Sequence, residues 1–141
     1  AAGILDINLA EKQISSKEEV IKVMNDVKPG EYGAFFHIGE AKVSSAADQV
    51  IAIANRIKLP TFAHEESLAR KGMLAVYGPS WLVLGKQCAE TMDKVLKGVA
   101  PADIPIQIPK KIEFIINLGT ARTLGINIPE EALRSADKFF E

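Results

Sequence analysis

The sequence has little of what defines disulfide-bonded, membrane-spanning or nucleic-acid-binding proteins. Its single cysteine, Cys88, excludes an internal disulfide and a zinc site built from several cysteines. No uninterrupted apolar run approaches the roughly 18 residues of a membrane-spanning helix. With 17 basic and 18 acidic residues the formal net charge is -1, so no overall field would attract nucleic acid or an anionic membrane. We therefore expect no nucleic-acid partner.

Motifs for nucleotide and metal binding are also missing. There is no Gly-x-Gly-x-x-Gly, and the nearest phosphate-loop candidate, residues 78–86, has six residues between its glycines and is followed by Gln87 in place of Ser or Thr. His37 and His64 fall on different predicted strands without a metal-ligand spacing. We expect no cofactor and no metal site.

What is present is an ordinary globular composition, with 48% hydrophobic and 25% charged residues in a chain of 141, enough for one domain. Short apolar runs without alternation are typical of buried parallel strands, and apolar residues at helical spacing predict amphipathic helices. The predicted strands are 8–14, 34–38, 59–64, 73–77 and 110–118, and the predicted helices are 17–28, 43–57, 81–96, 120–124 and a last one from Pro129 through Phe140. This alternation predicts an α/β fold with a doubly wound, mostly parallel sheet of the Rossmann-like or flavodoxin-like type.

In such sheets ligands bind beyond the carboxyl ends of the strands, which directs attention to the loops there. A carboxylate in these loops can hold a ligand ammonium, and the indole of Trp81 can stack on a ligand, pack against another lobe or be buried in the core. Adjacent side chains diverge, so Glu65 and Glu66 make a poor acid–base pair and we expect no catalytic residue. The candidate ligand-binding residues are Gly39, Glu40, Lys42, His64, Glu65, Glu66, Gly78, Ser80 and Trp81.

Two further reactive side chains are expected to be structural. His37 lies within an apolar predicted strand, which favours a buried histidine with satisfied hydrogen bonds. Cys88 falls on the apolar face of its helix, which favours a packed thiol over a nucleophile. For His64, a cleft role and a structural role remain equally open.

The C-terminal part of the chain carries a series of motifs in a recognisable order. They are Leu-Gly-Lys-Gln at 84–87, Lys-Val-Leu-Lys-Gly at 94–98, Pro-Ala-Asp-Ile-Pro at 101–105 and Ile-Ile-Asn-Leu at 115–118. This run resembles the closing part of the ABC-transporter substrate-binding proteins of the type I periplasmic class, which includes tryptophan and tyrosine binders. Upstream, residues 39–45 resemble the family's Thr-Asp-Asn-Thr-Val-Ala-Ser loop, and residues 77–81 resemble its Tyr-Gly-Pro-Asp-Tyr.

Several positions in these loops depart from the family pattern, and four of them bear on the ligand. Glu40 stands for the usual Asp, Ala41 for Asn, Lys42 for Thr, and Ser80 for the second Asp. Because these are cleft positions, the resemblance does not transfer a ligand. An aromatic amino acid is one candidate.

The resemblance implies that residues 1–141 form a single C-terminal ligand-binding lobe of a two-lobed protein, with the N-terminal lobe absent. The opening Ala1-Ala2-Gly3, without an initiator Met, agrees with that expectation. The helix at 81–98 would cross to the missing lobe, and an isolated chain would repack this helix or form a homodimer through it. The implied partners are a small-molecule solute, an ABC permease and the chain's own N-terminal lobe, and the implied location is periplasmic or extracellular, with a lipid anchor in the full-length protein.

Three functional hypotheses follow. The first is a solute-binding lobe of an ABC importer. The second is the effector-sensing domain of a transcriptional repressor, which shares the two-lobed fold. The third is a small flavodoxin-like enzyme that uses His64, Glu65 or Glu66.

Overall fold

The computed structural model describes residues 2–141, in which helices and strands alternate along the chain. The strands are β1 (Phe35–Phe36), β2 (Thr61–Ala63), β3 (Ala75–Pro79), β4 (Ile112–Asn117) and β5 (Lys138–Phe140). The α-helices are α1 (Lys17–Asp26), α2 (Ala41–Ser45), α3 (Ala47–Arg56), α4 (Glu66–Arg70), α5 (Trp81–Leu96), α6 (Leu118–Leu124) and α7 (Glu130–Ser135). Two short 3-10 helices lie at Ala2–Leu5 and Pro101–Asp103.

The strands form one five-stranded sheet in the order β1-β2-β3-β4-β5. β1, β2 and β3 are parallel, β4 runs antiparallel to β3, and β5 is parallel to β4. The antiparallel step arises because the chain leaves β3 through α5 and returns to enter β4 opposite Pro79, at the end where β3 stops. The predicted α/β class with a mostly parallel sheet is confirmed.

The core has packed layers on both sides of this sheet. Ala47 and Ile51 of α3 pack with Met73 and with inward-facing residues of β2, β3, β4 and α4. A second cluster joins α1 to α3, and a third places Ala121 and Leu124 of α6 against the start of β3. The helical spacing read for α3 therefore predicted its buried face correctly.

The predicted helix over 43–57 is interrupted. α2 ends at Ser45 and α3 begins at Ala47, because Ala46 has φ -97° and ψ 3°, outside the helical range. α2 also begins earlier than expected, since the carboxylate of Glu40 accepts hydrogen bonds from the backbone N–H groups of Lys42 and Val43 at 2.8 and 3.1 Å.

One predicted element is wrong and another is too long. Residues 8–14 form no strand, and Leu9 is exposed to solvent there without a neighbouring strand to pair with. The last helix ends at Ser135 and does not reach Phe140, which lies in β5. The cause is Asp137: its N–H donates to the carbonyl of Phe114, and its carboxylate accepts from the N–H of Phe114 at 2.8 Å, so the chain is drawn onto β4.

α5 was correctly predicted as a helix, but it packs on little of the domain. Gln87 is its only buried residue, and the Gln87 amide donates to the carbonyl of Ile108 and accepts from the N–H of Lys110, tying residues 108–110 to the helix. Met92 is 57% exposed. Cys88 is exposed too, so the expectation of a packed thiol is wrong. No helix within residues 2–141 combines the length and apolar character needed to cross a membrane.

Candidate functional site

The predicted site loops follow β1, β2 and β3, and since these strands are parallel their carboxyl ends lie at one edge of the sheet. The register pairs Phe36 with Phe62, so the residues that follow them, His37–Gly39 and Ala63–Glu65, run side by side. The ladder continues one step, because the N–H of His37 donates to the carbonyl of Phe62 at 2.8 Å. The edge therefore brings the first two loops into contact.

Two glycines close around His64. A Cβ added to Gly39 would lie 2.9 Å from the Nε2 atom of His64, and one added to Gly78 would lie 1.9 Å from the His64 carbonyl oxygen. Any side chain at Gly78 would collide with backbone, which cannot move aside as a flexible side chain can. Gly78 thus requires glycine to let β2 and β3 approach at this edge, whereas a side chain at Gly39 would have to displace the His64 ring.

His64 is partly exposed, and its Nε2 lies 3.4 Å from the Oε1 of Glu65. Its ring stacks on that of His37, with centroids 5.7 Å apart and planes 21° apart. His37 is fully buried, as the sequence predicted. Its Nε2 lies 3.2 Å from the hydroxyl of Ser44, but Nδ1 has no hydrogen-bond partner within residues 2–141, so the expectation of a fully satisfied histidine is wrong.

Burial, followed by the charge of the neighbouring His64, lowers the pKa of His37 below its ordinary value. A protonated His37 would be a buried cation with an unpaired N–H and a second imidazole against its face. The neutral form is therefore favoured in the folded chain.

Glu40 and Lys42 lie beside each other at the start of α2. The Glu40 carboxylate is engaged by backbone N–H groups of α2, and the Lys42 ammonium is 4.0 Å away. Both side chains are substantially exposed, so they can still face a ligand at the edge.

Glu66 has a different role from its neighbour Glu65. Its carboxylate accepts from Arg70 at 2.6 Å and from Lys138 at 2.9 Å, and Lys138 also contacts the carboxylate of Glu113. The hydrogen bonds from Lys138 and then Arg70 hold the pKa of Glu66 below its ordinary value. Glu66 thus ties α4 to β5, which makes it a structural residue first.

The side chain of Glu113 is only 6% exposed, and it lies opposite Gly78 in the β3–β4 register. Lys111 contacts Glu113 at 3.0 Å and lowers its pKa; Lys138 adds to that effect. The hydrogen bond that Lys138 donates to Glu66, offset in part by burial, raises the pKa of Lys138. Glu66, Lys138, Glu113 and Lys111 form a continuous ionic network at the same edge as the site.

Ser80 and Trp81 mark the end of β3 and the start of α5. Ser80 is buried, and its N–H donates to the carbonyl of Lys111 at 3.0 Å. Trp81 is 54% exposed, so burial in the core is wrong and the two roles at a ligand or at another lobe remain.

Sequence reasoning missed Ser44, Glu113 and Lys138. The role of Lys138 could not be predicted because the sequence placed this residue in a helix, whereas it lies in β5. Glu113 alternates with apolar residues along β4, which is the pattern of a solvent-exposed strand position. No group of three or more His, Cys, Asp or Glu in the part of the chain that the structure describes is placed to hold a metal ion.

Two cavities of about 330 Å³ lie away from these loops. One is apolar and lies on the sheet face against Phe62, Phe114 and Ile128. The other lies along α5 between Leu84 and Val95. Neither is lined by Gly39, His64 or Trp81, each of which is at least partly exposed to solvent.

Solved structures share this fold over nearly the whole chain. A conserved domain protein from Vibrio cholerae matches 98% of the chain with a TM-score of 0.88 at 27% identity, and the chain covers 46% of it. The ABC domain in complex with L-Trp from Streptococcus pneumonia matches 99% of the chain with a TM-score of 0.89 at 23% identity, and the chain covers 47% of it. These likenesses define an α/β lobe that recurs within larger chains.

The sequence is also similar to a curated protein. The tyrosine-binding protein of Clostridioides difficile (strain R20291) is 30% identical over 118 residues, which are 84% of this chain and 34% of the relative. Residues 2–140 match the ABC transporter substrate binding protein family, and the chain belongs to that family. It spans about a third of the length of the curated relative and under half of the solved structures.

Proposed function

We propose that the chain is the C-terminal lobe of a solute-binding component of an ABC importer, and that its carboxyl-edge loops form half of an interlobe cleft for a small molecule. The observation that carries the proposal is the exposed edge, where Gly39, His64 and Glu65 meet. Small-molecule sites are concave and bury most of the ligand, so such an edge needs an opposing surface.

The edge supplies the groups that an amino acid requires from one side. Glu65 and Glu40 offer carboxylates for an ammonium, and the exposed indole of Trp81 offers an aromatic face. The carboxylate of Glu66 is paired with Arg70 and Lys138. Glu66 therefore contributes to the site by holding its loop in place. Relatives named for tyrosine binding and solved with L-Trp support an aromatic amino acid as the ligand class.

Two lobes can close on a ligand without any chemical reaction, and we propose no catalytic residue. The family match supports this role over a repressor domain or a small enzyme. The proposed partners are an ABC permease and the N-terminal lobe of the same protein. The proposed location is periplasmic or extracellular, with a lipid anchor on the full-length protein.

α5 is proposed to cross to the N-terminal lobe. Its apolar face, which includes Leu84, Met92 and Val95, lines a surface cavity to which Gln107 also contributes, and Met92 is 57% exposed. Without that lobe, we expect the chain to associate through α5. Light scattering at high concentration should show a dimer that Met92→Glu converts to a monomer, whereas Lys86→Glu, at another exposed position of α5, should leave it unchanged. A monomeric wild-type chain would count against this use of α5.

The test of ligand binding is a thermal-shift screen with L-tyrosine, L-tryptophan and the other amino acids. Because the proposal makes this chain one lobe of two, the screen uses the two-lobed protein, whose melting temperature rises when a ligand binds only the native state. Trp81→Ala and Glu65→Gln should reduce the shift, and Gly85→Ala on α5 is the control. An absence of any shift across the amino acids would reject the proposed ligand class.

A further inference from the structure

His37 and His64 occupy equivalent places after β1 and β2 and stack on each other at the candidate cleft. We call them the histidine pair. They are the only histidines in the chain. One is fully buried and the other is a third exposed, so the pair connects the interior of the domain to its open edge.

The pair also supports the loop after β1. Gly39 packs directly on the His64 ring, where a Cβ would be 2.9 Å from Nε2, and Ser44 of α2 contacts Nε2 of His37. β1 has only two residues, and beyond it the N–H of His37 donates to Phe62 and Glu40 is held as the cap of α2, while Gly39 lies between them against the His64 ring. The position of Gly39 therefore depends on the histidine rings.

The unpartnered Nδ1 of His37 makes this support sensitive to protons. Protonation of His37 would place an N–H with no acceptor in a buried site, against the face of a second imidazole. The titratable groups next to it are His64 and Glu65, which follow β2. On the side of α2, the Glu40 carboxylate is held by backbone N–H groups, with Lys42 4.0 Å from it. Glu65 lies beside His64, with its Oε1 3.4 Å from the Nε2 of that ring.

We propose that the histidine pair is a positioning element of the cleft that releases the loop at residues 38–40, and with it the ligand, when His37 takes up a proton. This rests on the proposed function, because it assumes that the loop faces a ligand. The chemistry is simple: a buried neutral ring keeps Gly39 against His64, and a charged ring needs water, which enters only if the loop moves.

The histidine spectra of the labelled 141-residue chain test the mechanism without any ligand. The ring signals of both histidines are followed from about pH 7.5 to about pH 5. We expect the pKa of His37 to lie below its ordinary value. The backbone amide of Gly39 should shift with the midpoint of His37. The proposal is overturned if the amide follows the midpoint of His64 alone, or if His37 titrates at or above its ordinary range.

Two variants separate the rings. His64→Gln replaces the exposed partner and should move the His37 midpoint upward, with the Gly39 amide following it. His37→Gln should leave the Gly39 amide without a titration in this range. If His37→Gln fails to fold, His64→Gln still decides, because an unchanged Gly39 midpoint in that variant contradicts the coupling.

Ligand binding supplies a second readout in the two-lobed protein, with L-tyrosine and L-tryptophan as probes. We expect at least about a threefold loss of affinity for the bound probe from about pH 7.5 to about pH 5.5, and a smaller loss in His37→Gln. An equal loss in both proteins would contradict the proposal. If neither probe binds at either pH, the proposed ligand class fails, while the spectra decide the histidine proposal by themselves.

Discussion

α3 and α5 are both amphipathic helices by sequence, yet they have opposite environments. α3 buries five of its ten residues, Ala47, Val50, Ile51, Ile53 and Ala54, whereas α5 buries one of sixteen, and that one is the polar Gln87. An apolar face predicts that a helix has something to pack against. It does not show that the surface which packs on that face lies in the same stretch of chain.

The largest expected contrast is in side-chain truncation. Ile51→Ala removes a buried side chain from the main core and should lower the free energy of unfolding by about 2–5 kcal/mol. Met92→Ala on the exposed face of α5 should change it by less than about 0.5 kcal/mol. Urea denaturation of the isolated chain, at concentrations low enough to keep it monomeric, compares the two. Equal losses would show that α5 is packed within the domain.

Glycine substitutions give the next contrast. Gly78→Ala places a Cβ against the backbone of His64 and should cost about 1–3 kcal/mol or prevent folding. Gly85→Ala meets nothing within 4 Å in the middle of α5 and should stabilise the chain by about 0.5–1 kcal/mol, because alanine favours the helix. Thermal melting of both variants measures these effects, and a destabilising Gly85→Ala would place a close neighbour beside α5.

The local sequence signals were reliable where the structure they specify is local. Ser16 caps α1, accepting from the N–H of Glu19, and Gly125 ends α6 with a φ of 74°. Elements that depend on distant partners were not predictable in this way. β5 has only three residues and exists because Asp137 pairs with Phe114, far away in sequence.

The same distinction between local and distant determinants applies to the candidate site. The loops at the carboxyl ends of the strands could be located from the alternation of strands and helices, and Gly39, His64, Glu65 and Gly78 do come together. The stacking of His37 on His64 could not be foreseen, because it depends on the register that pairs Phe36 with Phe62. Ligand roles for these residues stay predictions.

Ion pairs extend the comparison to electrostatics. Glu113→Gln removes a charge that is buried between Lys111 and Lys138 and should cost about 1–3 kcal/mol near neutral pH. Since Lys111 and Lys138 hold the folded pKa of Glu113 below its ordinary value of 4.5, this contribution is present above that pH. It is lost as the pH falls through the folded pKa. Urea denaturation at several pH values should show the difference between wild type and variant shrinking on acidification, and a constant difference would contradict the role of the charge.

The exposed ion pair at the carboxyl end of α5 should have the smallest effect on the free energy of unfolding. Asp93 and Lys97 lie 2.8 Å apart in i,i+4 positions, with side chains that are 59% and 72% exposed. Solvent screens such a pair, and Asp93 lies near the carboxyl end of α5, where a negative charge opposes the helix dipole. Asp93→Asn should therefore change the unfolding free energy by about 0.5 kcal/mol or less, in either direction. The same denaturation series measures it; a loss as large as that of Glu113→Gln would mean that this end of α5 is shielded from solvent, and would remove the contrast between α5 and the rest of the domain.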